Sequence, residues 1–148
     1  MLSQYKHILV SVDGSKEADR AFSKAVAVAA RNQATLDILH VIDTRAFQNV
    51  SSFDSAMVEQ ISGDAKTKME DYADRAKQAG IDEVHYAIEF GSPKSIISHD
   101  YPSKHQTDLI ILGATGLNAV ERMLIGSVTE YVTRTADCDV MVIRTPLS

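Results

Sequence analysis

Short apolar runs alternate along this chain with stretches whose apolar residues recur every three or four positions. Residues 7–12, His-Ile-Leu-Val-Ser-Val, predict a first strand, closed by Asp13-Gly14-Ser15. Ser15 is placed to cap a helix, with Glu17 favourably set in its first turn. Ala18, Phe22, Ala25, Val26 and Ala29 carry that helix's apolar stripe. Residues 36–42 predict a second strand and residues 43–53 a loop. Met57, Val58, Ile61, Ala65, Met69, Tyr72, Ala73 and Ala76 then mark one face of a long helix, and Gly80 is a natural stop. At this period the two methionines read as core rather than as an adaptable partner surface.

Residues 83–89 alternate as a third strand with one polar-leaning face. Gly91-Ser92-Pro93 predicts a short helix, with Ser92 as its cap and Pro93 at the first helical position. Residues 109–112, Leu-Ile-Ile-Leu, predict a buried fourth strand, residues 127–135 a helix, and residues 139–144 a fifth strand. Strands that alternate with helices imply an α/β fold: an open parallel sheet, Rossmann-like, with helices on both faces and right-handed crossovers. Ligands of such sheets sit beyond the carboxyl ends of the strands, where strand order reverses. With the five-stranded order 3-2-1-4-5, taken from fold analogy, that reversal falls between the first and fourth strands. Ser11, Val12 and Asp13 then face one crevice with Gly113 and Gly116, about a hundred residues away in the chain.

The chemistry is concentrated in Gly113-Ala-Thr-Gly116, followed nine residues later by Gly126-Ser127-Val128. A strand, a glycine turn and a helix amino terminus together make a phosphate cradle, because unpaired N–H groups converge there and the helix dipole favours negative charge. Glycine lacks the Cβ that holds a ligand away from the main chain. A nucleotide is the first hypothesis. Plainer readings stand beside it: the glycines as turn residues, Ser127 with Glu130 as a capping box, Asp13 as a strand end, and Arg122 as a solvated cation instead of a phosphate ligand. As a ligand, the Asp13 carboxylate offers two strong acceptors to ribose hydroxyls or to a metal-bound water.

Composition narrows the field. The 148 residues fit one domain over 1–148, able to bury about two-thirds of its unfolded surface. A net charge of −5 argues against broad nucleic-acid or anionic-membrane binding. The single cysteine, Cys138, excludes an intrachain disulfide, suits a reducing compartment and reads as inert packing. No apolar run reaches the ~20 residues of a membrane span, and the first strand begins too early for a cleaved signal, so a cytoplasmic, soluble protein is expected. The five histidines show no metal-ligand spacing, and His40 and His85 read as packed or hydrogen-bonded strand residues.

Taken together, these segments resemble the universal stress protein family over essentially the whole chain. Lys6-His-Ile-Leu-Val-Ser-Val-Asp-Gly-Ser15 is similar to the family's first strand and turn, Leu39-His-Val-Ile-Asp43 to its second strand end, and Phe90-Gly-Ser-Pro93 to the start of its third helix. Gly113, Gly116, Gly126 and Ser127 match G-x2-G-x9-G-[ST], the signature of the family's ATP-binding branch. The resemblance implies ATP in the crevice, with Ser11, Val12 and Asp13 on adenosine and the Val41 backbone on the adenine edge. It sets Leu112 and Gly113 beneath the ribose, and Gly116, Gly126, Ser127 and Val128 on the phosphates, with Thr115 inside the same loop. Position 11 is Ser where some nucleotide-binding relatives carry Pro. The resemblance also implies a homodimer through the last strand, Val140–Ile143, whose apolar edge invites a second chain.

No G-x-x-x-x-G-K-[ST] sequence is present, and no base is set by the sequence in line with a γ-phosphate. The expected function is therefore a nucleotide-dependent regulatory or sensor protein of the stress response, without efficient catalysis. Two alternatives are a slow ATPase or autophosphorylating phosphotransferase, and a nucleotide-free dimerisation module. With little positive charge nearby, Mg2+ carried by the nucleotide has to offset the triphosphate.

Overall fold

The computed structural model describes residues 4–47, 55–115 and 125–144. Its strands are β1 (His7–Ser11), β2 (Thr35–Asp43), β3 (Val84–Gly91), β4 (Leu109–Gly113) and β5 (Asp139–Ile143). All neighbours pair in parallel, in the order β3-β2-β1-β4-β5. This is the Rossmann-like order expected, and it reverses direction between β1 and β4. Asp108 helps set that junction: its carboxylate accepts the Lys6 and His7 N–H groups at 2.8 and 3.1 Å, just before β4 begins.

Helices α1 (Lys16–Asn32) and α2 (Ser55–Gln78) cover one face. Their core includes Ile8, Val10, Val12, Phe22, Ile38, Met69, Tyr72 and Ile111. The other face carries α3 (Pro93–Ser95), a π turn at Ile96–Asp100, α4 (Tyr101–His105) and α5 (Ser127–Thr135). Its core joins Leu9, Leu39, Ile97, Tyr101, Ile110, Leu112 and Val132. Every residue of β4 is buried, as a strand covered on both faces requires.

The local signals hold unevenly. Ser15 caps α1, its Oγ accepting the Ala18 N–H at 3.0 Å. Gly14 supplies the turn before it at φ +87°, and Gly80 follows α2 at φ +100°, conformations that side chains rarely adopt. Met69, Tyr72, Ala73 and Ala76 are buried, whereas Met57, Val58 and Ile61 are only half-buried. Part of the expected 43–53 loop is structured: β2 runs on to Asp43 and a 3-10 turn follows at Thr44–Phe47, while residues 48–54 lie outside the described residues.

One expected cap holds by position only, and the capping-box alternative is corrected. Ser92 occupies the cap position with Pro93 in the first turn, but its side chain caps nothing. The cap of α5 is Gly126, and Ser127 is its first helical residue, exposed, so no capping box with Glu130 forms. The Glu130 N–H instead bonds the Gly126 carbonyl at 2.9 Å, as in any helical turn.

Candidate functional site

The reversal of strand order opens the sheet between the ends of β1 and β4. Val10 is level with Ile111 in the β1–β4 ladder, so continuing the register sets Ser11 beside Leu112 and Val12 beside Gly113. Side chains alternate along a strand. Leu112 accordingly lies in the α3–α5 core with Val41 and Val128 packed against it, while Val12 lies in the α1–α2 core. Four predicted residues, Val12, Val41, Leu112 and Val128, thus flank the junction from both faces.

Main-chain bonds fix the β4 side. The Ala114 N–H donates to the Ile143 carbonyl at 2.9 Å, and the Ala114 carbonyl accepts the Gly126 N–H at 2.7 Å. Buried Thr129 donates its hydroxyl to the Gly113 carbonyl at 2.7 Å. These bonds tie the start of α5 to the end of β4 and bring Gly113–Thr115 together with Gly126–Val128. They also engage the Gly126 amide, which was expected to meet phosphate; at the start of α5 that leaves the Ser127 and Val128 amides, which have no acceptor within the helix. Gly116 and Arg122 lie outside the described residues.

Gly113 has a different reason for being glycine than ligand access. A Cβ built on it meets the Glu17 Cβ at 3.0 Å and the Glu17 main-chain carbon and oxygen at 3.2 Å. The space left by the absent side chain is filled by the first turn of α1. That close approach sets the amino end of α1 against β4.

On the β1 side, the half-buried Asp13 accepts the Ser15 N–H on Oδ1 at 3.0 Å, so it supports the turn into α1. The Val12 N–H bonds the Leu39 carbonyl at 2.9 Å, and the Val12 carbonyl accepts His40 Nδ1–H at 2.8 Å. Val41, half-buried, is the next residue of β2. A short way along α1, buried Tyr72 donates its hydroxyl to Asp19, and Arg75 lies over the Phe22 and Tyr72 rings at 5.0 and 5.3 Å. Burial first, then the Asp19 carboxylate, push the Tyr72 phenol well above its usual range, and Asp13 adds to this.

Sequence reasoning undervalued three residues here: His40, Thr129 and Glu17. Thr129 was legible in principle, as a hydroxyl at an otherwise inward-facing position of α5. His40 and Glu17 act through main-chain neighbours and leave no composition signal. Two concavities lie elsewhere, about 440 Å³ between α2 and β3 and about 230 Å³ beside Thr107 and Cys138, and neither holds a predicted site residue. Among the described residues, no three His, Cys, Asp or Glu side chains are grouped to hold a metal, and no helix is long and apolar enough to cross a membrane.

Comparison with known proteins agrees with this fold. A Staphylococcus aureus (strain USA300) protein that carries the universal stress protein name is 46% identical over 141 residues, covering 95% of this chain and 85% of its own. The structure of universal stress protein UspA from Lactobacillus plantarum matches with a TM-score of 0.80 at 35% identity, over 97% of this chain and all of that one. A universal stress protein crystallised in complex with cAMP matches with a TM-score of 0.75 at 27% identity, again over 97% and 100% of the two chains. The model of the universal stress protein family matches residues 4–144, and the chain belongs to that family.

Proposed function

We propose that this chain is an ATP-binding universal stress protein whose occupancy sets a regulatory state in the cytoplasm. One observation carries the reading: Gly113–Thr115 and Gly126–Val128 are hydrogen-bonded together beside the end of β1, at the point where strand order reverses. That is where an open α/β sheet receives ligands, and a helix amino terminus suits an anion. A relative that matches over the full fold is known with a bound adenine nucleotide, cAMP, which supports an adenine-sized ligand in this family.

In this reading Ser11, Val12, Asp13 and Val41 flank the adenosine, Leu112 and Gly113 underlie the ribose, and Thr115, Gly116, Arg122, Gly126, Ser127 and Val128 surround the phosphates. Gly126 contributes by positioning, since its amide already bonds Ala114. Mg2+ arrives with the triphosphate and offsets charge that the acidic first turn of α1, with Glu17 and Asp19, does not. The site serves a single domain that pairs with a second copy through β5.

Calorimetric titration with ATP, with and without Mg2+, tests the proposal. Binding is expected, and at a hundredfold excess over Kd it stabilises the fold by about 2.7 kcal/mol. Gly116→Val abolishes that shift. A wild-type protein that gives no heat and no shift in melting temperature overturns the reading.

A further inference from the structure

His40 occupies a place in the sheet where a ladder rung is missing. The Val12 N–H bonds the Leu39 carbonyl, the last rung between β1 and β2, and the paired residues end at Ser11 and Leu39. In a continued parallel ladder, the Val12 carbonyl would next accept the Val41 N–H. It accepts His40 Nδ1–H at 2.8 Å instead. Both main-chain polar groups of Val12 are thereby used by β2, and Val41 has no rung to β1. Groups of alternate residues point to the same neighbouring strand, and Leu39 points to β1. The Val41 N–H and C=O therefore face the same side, into the gap left where β1 turns away at Asp13.

We infer that His40 is a positioning residue for purine recognition: by capping the Val12 carbonyl it holds the Val41 amide and carbonyl open for the edge of an adenine base. This rests on the nucleotide reading above and adds the source of base selectivity to it. A neighbouring N–H donor and C=O acceptor on one strand match the ring-nitrogen acceptor and exocyclic amino donor of adenine. They oppose the carbonyl acceptor and ring N–H donor that guanine or hypoxanthine presents in the same place. The imidazole is suited to the task because Nδ1–H reaches a carbonyl one strand away.

The test uses two variants of the full chain. Asn places an amide nitrogen where Nδ1 stands, whereas Leu fills similar space with no donor. His40→Leu is expected to weaken ATP binding about tenfold, the scale of one lost hydrogen bond, while leaving inorganic tripolyphosphate binding unchanged. His40→Asn is expected to bind ATP as the wild type does. A ligand-free readout accompanies these: the Val41 amide exchanges rapidly with deuterium in the wild type and becomes protected in His40→Leu, as the Val12 carbonyl is freed to accept it. The inference is overturned if His40→Leu keeps wild-type ATP affinity, if ATP and tripolyphosphate weaken together, if His40→Asn behaves as His40→Leu, or if the Val41 amide is equally protected in all three proteins. Failure of the wild type to bind ATP is a separate result that removes the nucleotide reading, and the exchange measurement still reports on the rung.

Discussion

Glu17 and Gly113, ninety-six positions apart in the chain, share one space: the first turn of α1 packs where a side chain on the last residue of β4 would stand. The neighbours that a Cβ would strike include the Glu17 main chain, which cannot swing aside as a flexible side-chain tip does. Gly113→Ala must therefore push α1 away from β4. A destabilisation of about 1–3 kcal/mol is expected, the usual cost of overpacking, and it appears without any ligand. Urea denaturation of the apo protein checks it. If stability is untouched and only nucleotide affinity falls, ligand access and not helix packing is what selects glycine here.

The two serines at helix starts are expected to behave oppositely. Ser15 caps α1 through the Ala18 N–H, so Ser15→Ala should cost about 1 kcal/mol. Ser127 is the first residue inside α5, exposed and capping nothing, so Ser127→Ala should change stability by less than about 0.5 kcal/mol. Paired thermal melts of the two variants give the comparison. An equal loss in both would restore the capping box to α5.

These serines show what the sequence could and could not carry. Ser15 was legible because Gly14 ends the strand and an apolar stripe starts at Ala18, so three independent signals agree on the helix start. At Gly126-Ser127 the pattern of serine followed by Glu130 looked the same, yet Ser127 is the first residue of the predicted 127–135 helix and Gly126 takes the cap position. The Gly126 N–H is drawn to the Ala114 carbonyl, a partner twelve residues away that no local pattern contains. The alternation of apolar runs and helical stripes was enough for the fold class and for Leu109–Leu112 as the buried strand. The π turn at Ile96–Asp100 was not visible, since a one-residue bulge barely disturbs a short apolar period. The role of His40 was hidden for a further reason: it depends on a rung that is absent, and an absent bond leaves no mark on the residues that would have made it.

Asp37 offers a pH dependence whose sign is fixed by its burial. It is 5% exposed on the second strand, with the Tyr101 phenol, His85 on β3, His105 on α4 and His7 on β1 acting on its carboxylate. Burial raises its pKa above the unfolded value, against the opposing pull of the histidines and Tyr101. The folded state thus holds this proton more tightly than the unfolded chain. Above the folded pKa, the full penalty of a buried carboxylate applies; as pH falls through that pKa, the penalty disappears. Asp37→Asn removes it at every pH. The variant should melt higher than wild type at pH 7, by about 2–4 °C for each kcal/mol relieved, and the two curves should converge toward pH 4. A lower melting temperature for the variant at pH 7 would mean that the histidines, not burial, govern this carboxylate.

The last strand gives a test of assembly that leaves the sheet intact. Ile143 bonds β4 through its carbonyl, at 2.9 Å to the Ala114 N–H, and alternation along β5 turns the main-chain groups of Met141 the same way. Those of Val140 and Val142 face away from β4, along the free edge. An edge of this kind, apolar and without a charged side chain over residues 140–143, is a template for a second strand. If two copies pair there, Val142→Pro deletes a donor of the intermolecular ladder without breaking a bond to β4, since proline is tolerated where the N–H points off the sheet. Light scattering after size exclusion at micromolar concentration should give a dimer mass for the wild type and a monomer mass for Val142→Pro, with unchanged far-ultraviolet circular dichroism. A monomeric wild type would refute pairing altogether, whereas a dimeric proline variant would move the contact to another surface, because a ladder missing its central donor cannot hold two edges in register.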